Sequence, residues 1–188
     1  MAKPINVSLS ESSIQGAIRQ LQQYKQEILK KCEQLVSELA DSGIEVGKSN
    51  TGNFGHYIIF SKKLQPNSNG CTAIVVATET GKIISQWQTS DGVKTADVSP
   101  LLMAEFGSGW RAQPHFDDDR GGQGTFPGQT HAKDPDGWYW RDLEGNLHHS
   151  YGITPTMPMY KAYEEIEKNI ISKAKEVFKD GKRKSMGL

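Results

Sequence analysis

Apolar residues recur along the first part of the chain at helical spacing. Ile14, Ile18, Leu21, Ile28, Cys32, Leu35 and Leu39 follow steps of four, three, seven, four, three and four. That is a heptad seam, interrupted only where Lys25 occupies an expected apolar position. Tyr24 and Val36 widen the stripe. The pattern predicts a helix over residues 11–42, started by Ser10 or Ser13 as N-cap and closed by Gly43 in a left-handed C-terminal cap. About 30 residues at 1.5 Å each make a rod of roughly 45 Å. A compact domain of this size does not need such length, and a rod of that kind packs against a partner as well as its own core.

The period then changes from helical to alternating. His56-Tyr-Ile-Ile-Phe60 and CTAIVVA at 71–77 are β-branched and aromatic runs, separated by Pro66, Asn67, Asn69 and Gly70. KIISQWQ at 82–88 adds a strand after the Thr80-Gly81 turn. The connections are too short for crossover helices, so an antiparallel meander is expected. Ser99-Pro100 reads as N-cap and first-turn proline of a short helix over 101–106, ended by Gly107.

From 107 to 152 no helical period holds, and nine of the nineteen glycines fall there. Loops of that length are functional or disordered more often than inert. Within it, Trp138-Tyr139-Trp140 and Leu147-His148-His149 flank Leu143-Glu144-Gly145-Asn146 as a β-hairpin with a glycine turn. Met159, Tyr163, Ile166, Ile170, Ala174 and Val177 give the apolar face of a last helix, with Pro158 in its first turn and Gly181 after it. The basic tail at 179–184 (KDGKRK) is expected to fray. The expected architecture is α+β, a single domain over 1–188: an antiparallel sheet packed by long N- and C-terminal helices, with 107–152 as an extended glycine-rich loop and hairpin arm.

Charge and composition narrow the function classes. Lys+Arg and Asp+Glu both number 22, so the chain is neutral. A broad nucleic-acid surface is not indicated, because such surfaces need an excess of Lys and Arg. No apolar run is long enough to span a membrane. MAKPINVSLS has no apolar h-region, so cytosolic synthesis is expected. Cys32 and Cys71 then read as buried, reduced thiols.

The stretch HFDDDRGGQG at 115–124 has the look of a metallohydrolase site, with His131 and His148-His149 further on. Its spacing fails the tests. No two histidines stand four apart with a glutamate beside the first, as a thermolysin-type zinc site requires. A calcium loop begun at Asp117 meets glycine at its fifth and twelfth positions, and one begun at Asp134 meets Gly137 at its fourth. Thr80-Gly81-Lys82 lacks the upstream glycine of a P-loop, where Val76 stands, and Pro127 takes the third glycine's place in a dinucleotide fingerprint. Cys32 lies on an apolar stripe, where a thiol is inert. No Gly-x-Ser-x-Gly elbow exists; Gly107-Ser108-Gly109 is the nearest approach. The residues thus argue against an enzyme, and no catalytic, cofactor or metal residue is assigned. Trp110, Phe126, Trp138, Tyr139, Trp140 and Tyr151 instead sit in a polar, glycine-rich stretch, where they pin the loop to the core or anchor a protein interface, since Trp, Tyr and Arg concentrate binding energy.

Four segments carry a resemblance. Leu101-Leu-Met-Ala-Glu-Phe-Gly-Ser-Gly109 resembles the Ala, then Glu-Phe-Gly-Thr-Gly segment of the head–tail joining proteins of long-tailed bacteriophages, the neck or tail-component family. SIQGAIRQLQQYK at 13–25 resembles that family's N-terminal helix. Gly137-Trp-Tyr-Trp140 with His148-His-Ser-Tyr-Gly152 resembles its aromatic hairpin, and Thr154-Pro-Thr-Met-Pro-Met-Tyr-Lys-Ala162 the segment that starts its last helix. Ser108 stands where the family has threonine, and residues 111–128 and the N-terminal sheet carry no matching motif.

The resemblance implies a structural virion protein without enzymatic activity or cofactor. Copies would form a homo-oligomeric ring between head-completion (connector) proteins and the tail terminator or tail tube. The ring would line the channel through which DNA passes only transiently. Such a protein is made in the bacterial host cytoplasm, has no membrane partner, and resides at the head–tail junction of the virion. Glu105, Phe106, Trp138, Trp140, His148 and Met159 are the expected interface positions. The alternatives are a tail terminator capping the tube, a metal-dependent hydrolase using His115 and Asp117–Asp119, and a monomeric module whose arm captures a peptide.

Overall fold

The computed structural model describes residues 8, 10–112 and 134–179. Helix α1 covers Glu11–Ser49, about 58 Å at the usual rise. It runs through Gly43, which is not a C-cap. Gly43 lies against Ile166 and the Ala162 carbonyl, and Gly47 against the ring of Phe60. Both sites lack room for a side chain, and this packing offsets the roughly 1 kcal/mol that a glycine costs inside a helix. The helix ends instead where Asn50 Nδ2 donates to the Val46 carbonyl at 2.8 Å and Thr51 Oγ1 to the Lys48 carbonyl at 2.9 Å. Lys161 Nζ holds Asn50 Oδ1 at 2.9 Å.

Strands β1 (Ile58–Asn67) and β2 (Gly70–Glu79) form a two-stranded sheet. β1 continues through Pro66 and Asn67, shortening the expected connection to Ser68 and Asn69. β3 (Ile83–Thr89) pairs antiparallel with β4 (Gly92–Val98), from Ile83 opposite Val98 to Thr89 opposite Gly92. β4 is not evident from the hydrophobic pattern, since GVKTADV is mostly polar; the Ser90-Asp91-Gly92 turn is its one signal. Helix α2 (Pro100–Phe106) starts as expected: Ser99 Oγ accepts from the Leu102 N–H at 3.2 Å and donates to Glu79 Oε2 at 2.5 Å. The hairpin β5 (Trp138–Arg141) and β6 (Leu147–Ser150) joins β3 through Gln88 opposite Arg141, giving the sheet order β4-β3-β5-β6. Helix α3 covers Pro158–Lys179. The fold is therefore α+β with antiparallel sheets and long N- and C-terminal helices.

The chain divides into two compact units. One contains residues 41–62 and 75–168 and holds the core of Ile44, Ile58, Phe60 and Ala104, packed by Phe54, Val75, Ala77, Leu101 and Met159. The other contains residues up to 40, 63–74 and from 169 onward. In it α1 and α3 run antiparallel: Lys31 Nζ donates to the Val177 carbonyl at 3.0 Å, and Lys173 meets Glu38 at 3.7 Å. Leu39 and Val177 are buried there. Cys32 and Cys71 are free thiols, half-buried rather than fully buried as expected. Among the described residues no helix is long and apolar enough to cross a membrane.

Candidate functional site

Three of the four segments carrying the resemblance meet in one place. The chain leaving α2 at Gly107 runs beside the chain leaving β6. Ser108 N–H donates to the Ile153 carbonyl at 2.9 Å, Ile153 N–H returns to Ser108 O at 3.2 Å and to Ser108 Oγ at 3.0 Å, and Arg111 N–H donates to Tyr151 O at 3.2 Å. Two glycines permit this approach. Gly152 has φ +96°, and a Cβ there would strike the Ser108 carbonyl; Gly109 has φ +60°, and a Cβ there would strike the Trp138 ring. Only glycine adopts such backbone without strain. The aromatic hairpin is thereby fastened to the end of α2.

The third segment docks on the same helix. Thr156 and Met157 N–H groups both donate to the Ala104 carbonyl, at 2.8 and 3.0 Å. Met157 is held at φ 54°, a conformation L residues rarely take. Glu105, only 7% exposed, accepts from Met159 N–H at 2.8 Å and Tyr160 N–H at 3.0 Å. Its carboxylate satisfies two of the orphan donors at the start of α3 and matches the positive end of that helix. Glu105 and Met159, expected at an interface, are thus brought together inside the fold, where Met159 also packs on the core. Phe106 beside them is half-buried.

Trp138, Trp140 and His148 gather on the hairpin. Because Trp138 lies opposite Ser150 and Trp140 opposite His148, all four share one face of the sheet. Trp140 stacks on His148 with ring centroids 4.5 Å apart, and Tyr139 stacks on His149 at 4.4 Å on the other face. A cleft of about 600 Å³ is bordered by Trp87, Trp138 and Trp140, with Ser85, Thr89 and Ser150 supplying polar groups. Trp87 escapes a reading of the sequence by segments, because its partners arrive some fifty residues later; its alternation with Ile83 and Ser85 along β3 is the available signal. This cleft is aromatic with a polar rim.

The hairpin turn carries the clearest electrostatic feature. Asp142 Oδ2 meets His148 Nε2 at 2.8 Å and accepts from Asn146 Nδ2 at 2.9 Å, while Oδ1 accepts from Asn146 N–H at 2.8 Å. The His148 hydrogen bond first, then those from Asn146, hold the Asp142 carboxyl down at about 2. A carboxyl with a lowered folded pKa stabilises the hairpin above its ordinary pKa of 3.8 and loses that effect as pH falls toward 2. The NMR titration of the Asp142 carboxyl is expected to have its midpoint near 2, returning toward 3.8 in His148→Ala. A midpoint already near 3.8 in the unsubstituted protein contradicts the network.

Among the described residues, no group of three or more His, Cys, Asp or Glu could hold a metal ion. His115, the Asp117–Asp119 run, Arg120, Phe126 and His131 lie outside the described residues, as does the tail beyond Lys179. Comparison with known proteins finds no matching family model, no matching curated protein and no matching solved structure.

Proposed function

We propose that the protein is a structural subunit of a bacteriophage neck, forming a ring that joins head-completion proteins to the tail and surrounds the DNA exit channel. One observation carries the reading: the Glu-Phe-Gly-Ser-Gly segment, the aromatic hairpin and the Pro-x-x-Pro-Met segment interlock in a single junction. These stretches are up to about fifty residues apart in sequence, yet each supplies what another needs. Gly109 makes room for Trp138 and Gly152 for Ser108, and Glu105 accepts from the first N–H groups of α3. Segments resembling a family separately would be weak support; segments that complete one another structurally are a unit.

The junction's product supports the same reading. It presents Trp87, Trp138 and Trp140 on a rigid sheet face rather than on a loose loop, and a preordered aromatic surface loses little entropy on docking. The neutral chain suits a ring that meets proteins and lets DNA slide past. Electron microscopy of virions carrying this protein with a label is the test. Label density is expected at the head–tail junction, and density confined to another part of the virion, or absent from it, overturns the proposal.

A further inference from the structure

Helix α1 has two halves with different surroundings. From Cys32 to Leu39 its seam is half-buried or buried, and Lys31 reaches the Val177 carbonyl and lies 5.7 Å from the Phe178 ring centre. Before that point the same seam is exposed among the described residues: Ile14 and Ile18 are 42% exposed and Leu21 56%, with Tyr24 beside them at 51%. Large apolar side chains at heptad spacing on one helix face are poorly accommodated by water and make a coiled-coil surface.

We infer that the occupant of this face is the same stretch of a second copy of the chain, packed antiparallel. Ile14, Leu21 and Ile28 hold one set of core positions, and Glu11, Ile18 and Lys25 the other. In an antiparallel pair the two sets face each other. Setting Ile18 opposite Leu21 of the second copy centres the contact between residues 19 and 20, so it covers residues 11–28. That is the exposed stretch with half-buried Ile28 at its end, and it stops short of Lys31.

Charge selects this direction. A parallel pair in register stacks Lys25 on Lys25. The antiparallel pair sets Lys25 opposite Ile14 of the second copy, one turn from its Glu11, so each copy's lysine meets the other's carboxylate. Burying this face on both helices removes on the order of 1,000 Å² from water, the low end of a specific interface. Pairing is therefore reversible. A two-fold pair and a cyclic ring are different symmetries, so the pair is a state of the free subunit. Only its place before ring assembly rests on the neck reading.

Sedimentation of the purified full-length chain tests the pairing. A monomer–dimer equilibrium is expected as concentration rises through the micromolar range. Leu21→Asp, at an exposed site, is expected to weaken it about a hundredfold with unchanged far-UV circular dichroism, because two carboxylates would be buried unpaired. Lys25→Glu is expected to weaken it about tenfold, and Lys25→Glu with Glu11→Lys to restore it. A chain that stays monomeric throughout, or a dimer indifferent to Leu21→Asp, overturns the pairing. A dimer that Lys25→Glu leaves unchanged or strengthens overturns the antiparallel register. Label at the head–tail junction with a monomeric free chain removes this inference alone, whereas a dimer without junction label removes the neck reading and leaves the pair.

Discussion

Gly152→Ala is expected to lower stability by about 2–5 kcal/mol. Holding an L residue at φ +96° costs roughly 1–2 kcal/mol, and forcing a methyl group into the Ser108 carbonyl adds about 1–3 kcal/mol. For a chain of this length that is a fall of roughly 5–15 °C in Tm by scanning calorimetry. Gly145→Ala is the matched control: φ is +89° there too, but nothing lies within 4 Å of the added carbon. It should cost only the backbone share, about 1–2 kcal/mol. Equal losses at both positions would show that the junction between 108 and 152 contributes nothing beyond backbone conformation.

The second large effect is expected at Glu105. Removing its buried carboxylate in Glu105→Ala leaves the part-buried Met159 and Tyr160 N–H groups without their acceptor. The cost is about 2–4 kcal/mol, read as a lower urea midpoint at unchanged m-value. Glu105→Gln keeps one acceptor oxygen but turns an NH₂ group toward an N–H donor and removes the charge at the helix start. About half that loss is expected. Surface substitutions ordinarily stay within about 0.5 kcal/mol, so neutral results at both variants would return Glu105 to the role of an exposed contact. The measurement thus separates a residue that builds the junction from one that only meets a neighbour.

Glu105, Gly107, Gly109, Gly137 and Gly152 sit in short motifs that can be read along the chain, but their purpose cannot. Glu105 is charged, exposed by ordinary expectation, and adjacent to an aromatic residue, all of which suit an interface. Its partners are two backbone N–H groups more than fifty residues away. Asp142 and His148, by contrast, are close enough in sequence that the hairpin alone brings them together.

What the sequence determined by itself is every element whose cause is local. The heptad seam dictates the helix of α1, Ser99-Pro100 the start of α2, Pro158 the start of α3, and the glycine-turned aromatic pair the β5–β6 hairpin, because spacing, caps and turns act within a few residues. Tertiary structure decided the rest. It carried α1 past Gly43, since the fit to Ile166 and Phe60 outweighs a weak helix former. It made a strand of the polar run at 92–98 by pairing it with β3, and it joined the hairpin to β3 so that Trp87, Trp138 and Trp140 share one cleft. It also turned Glu105 inward. Apart from the neighbouring β3–β4 pairing, the deciding contact joins residues far apart in the chain, and one-dimensional periodicity has no means of recording which distant surface will arrive.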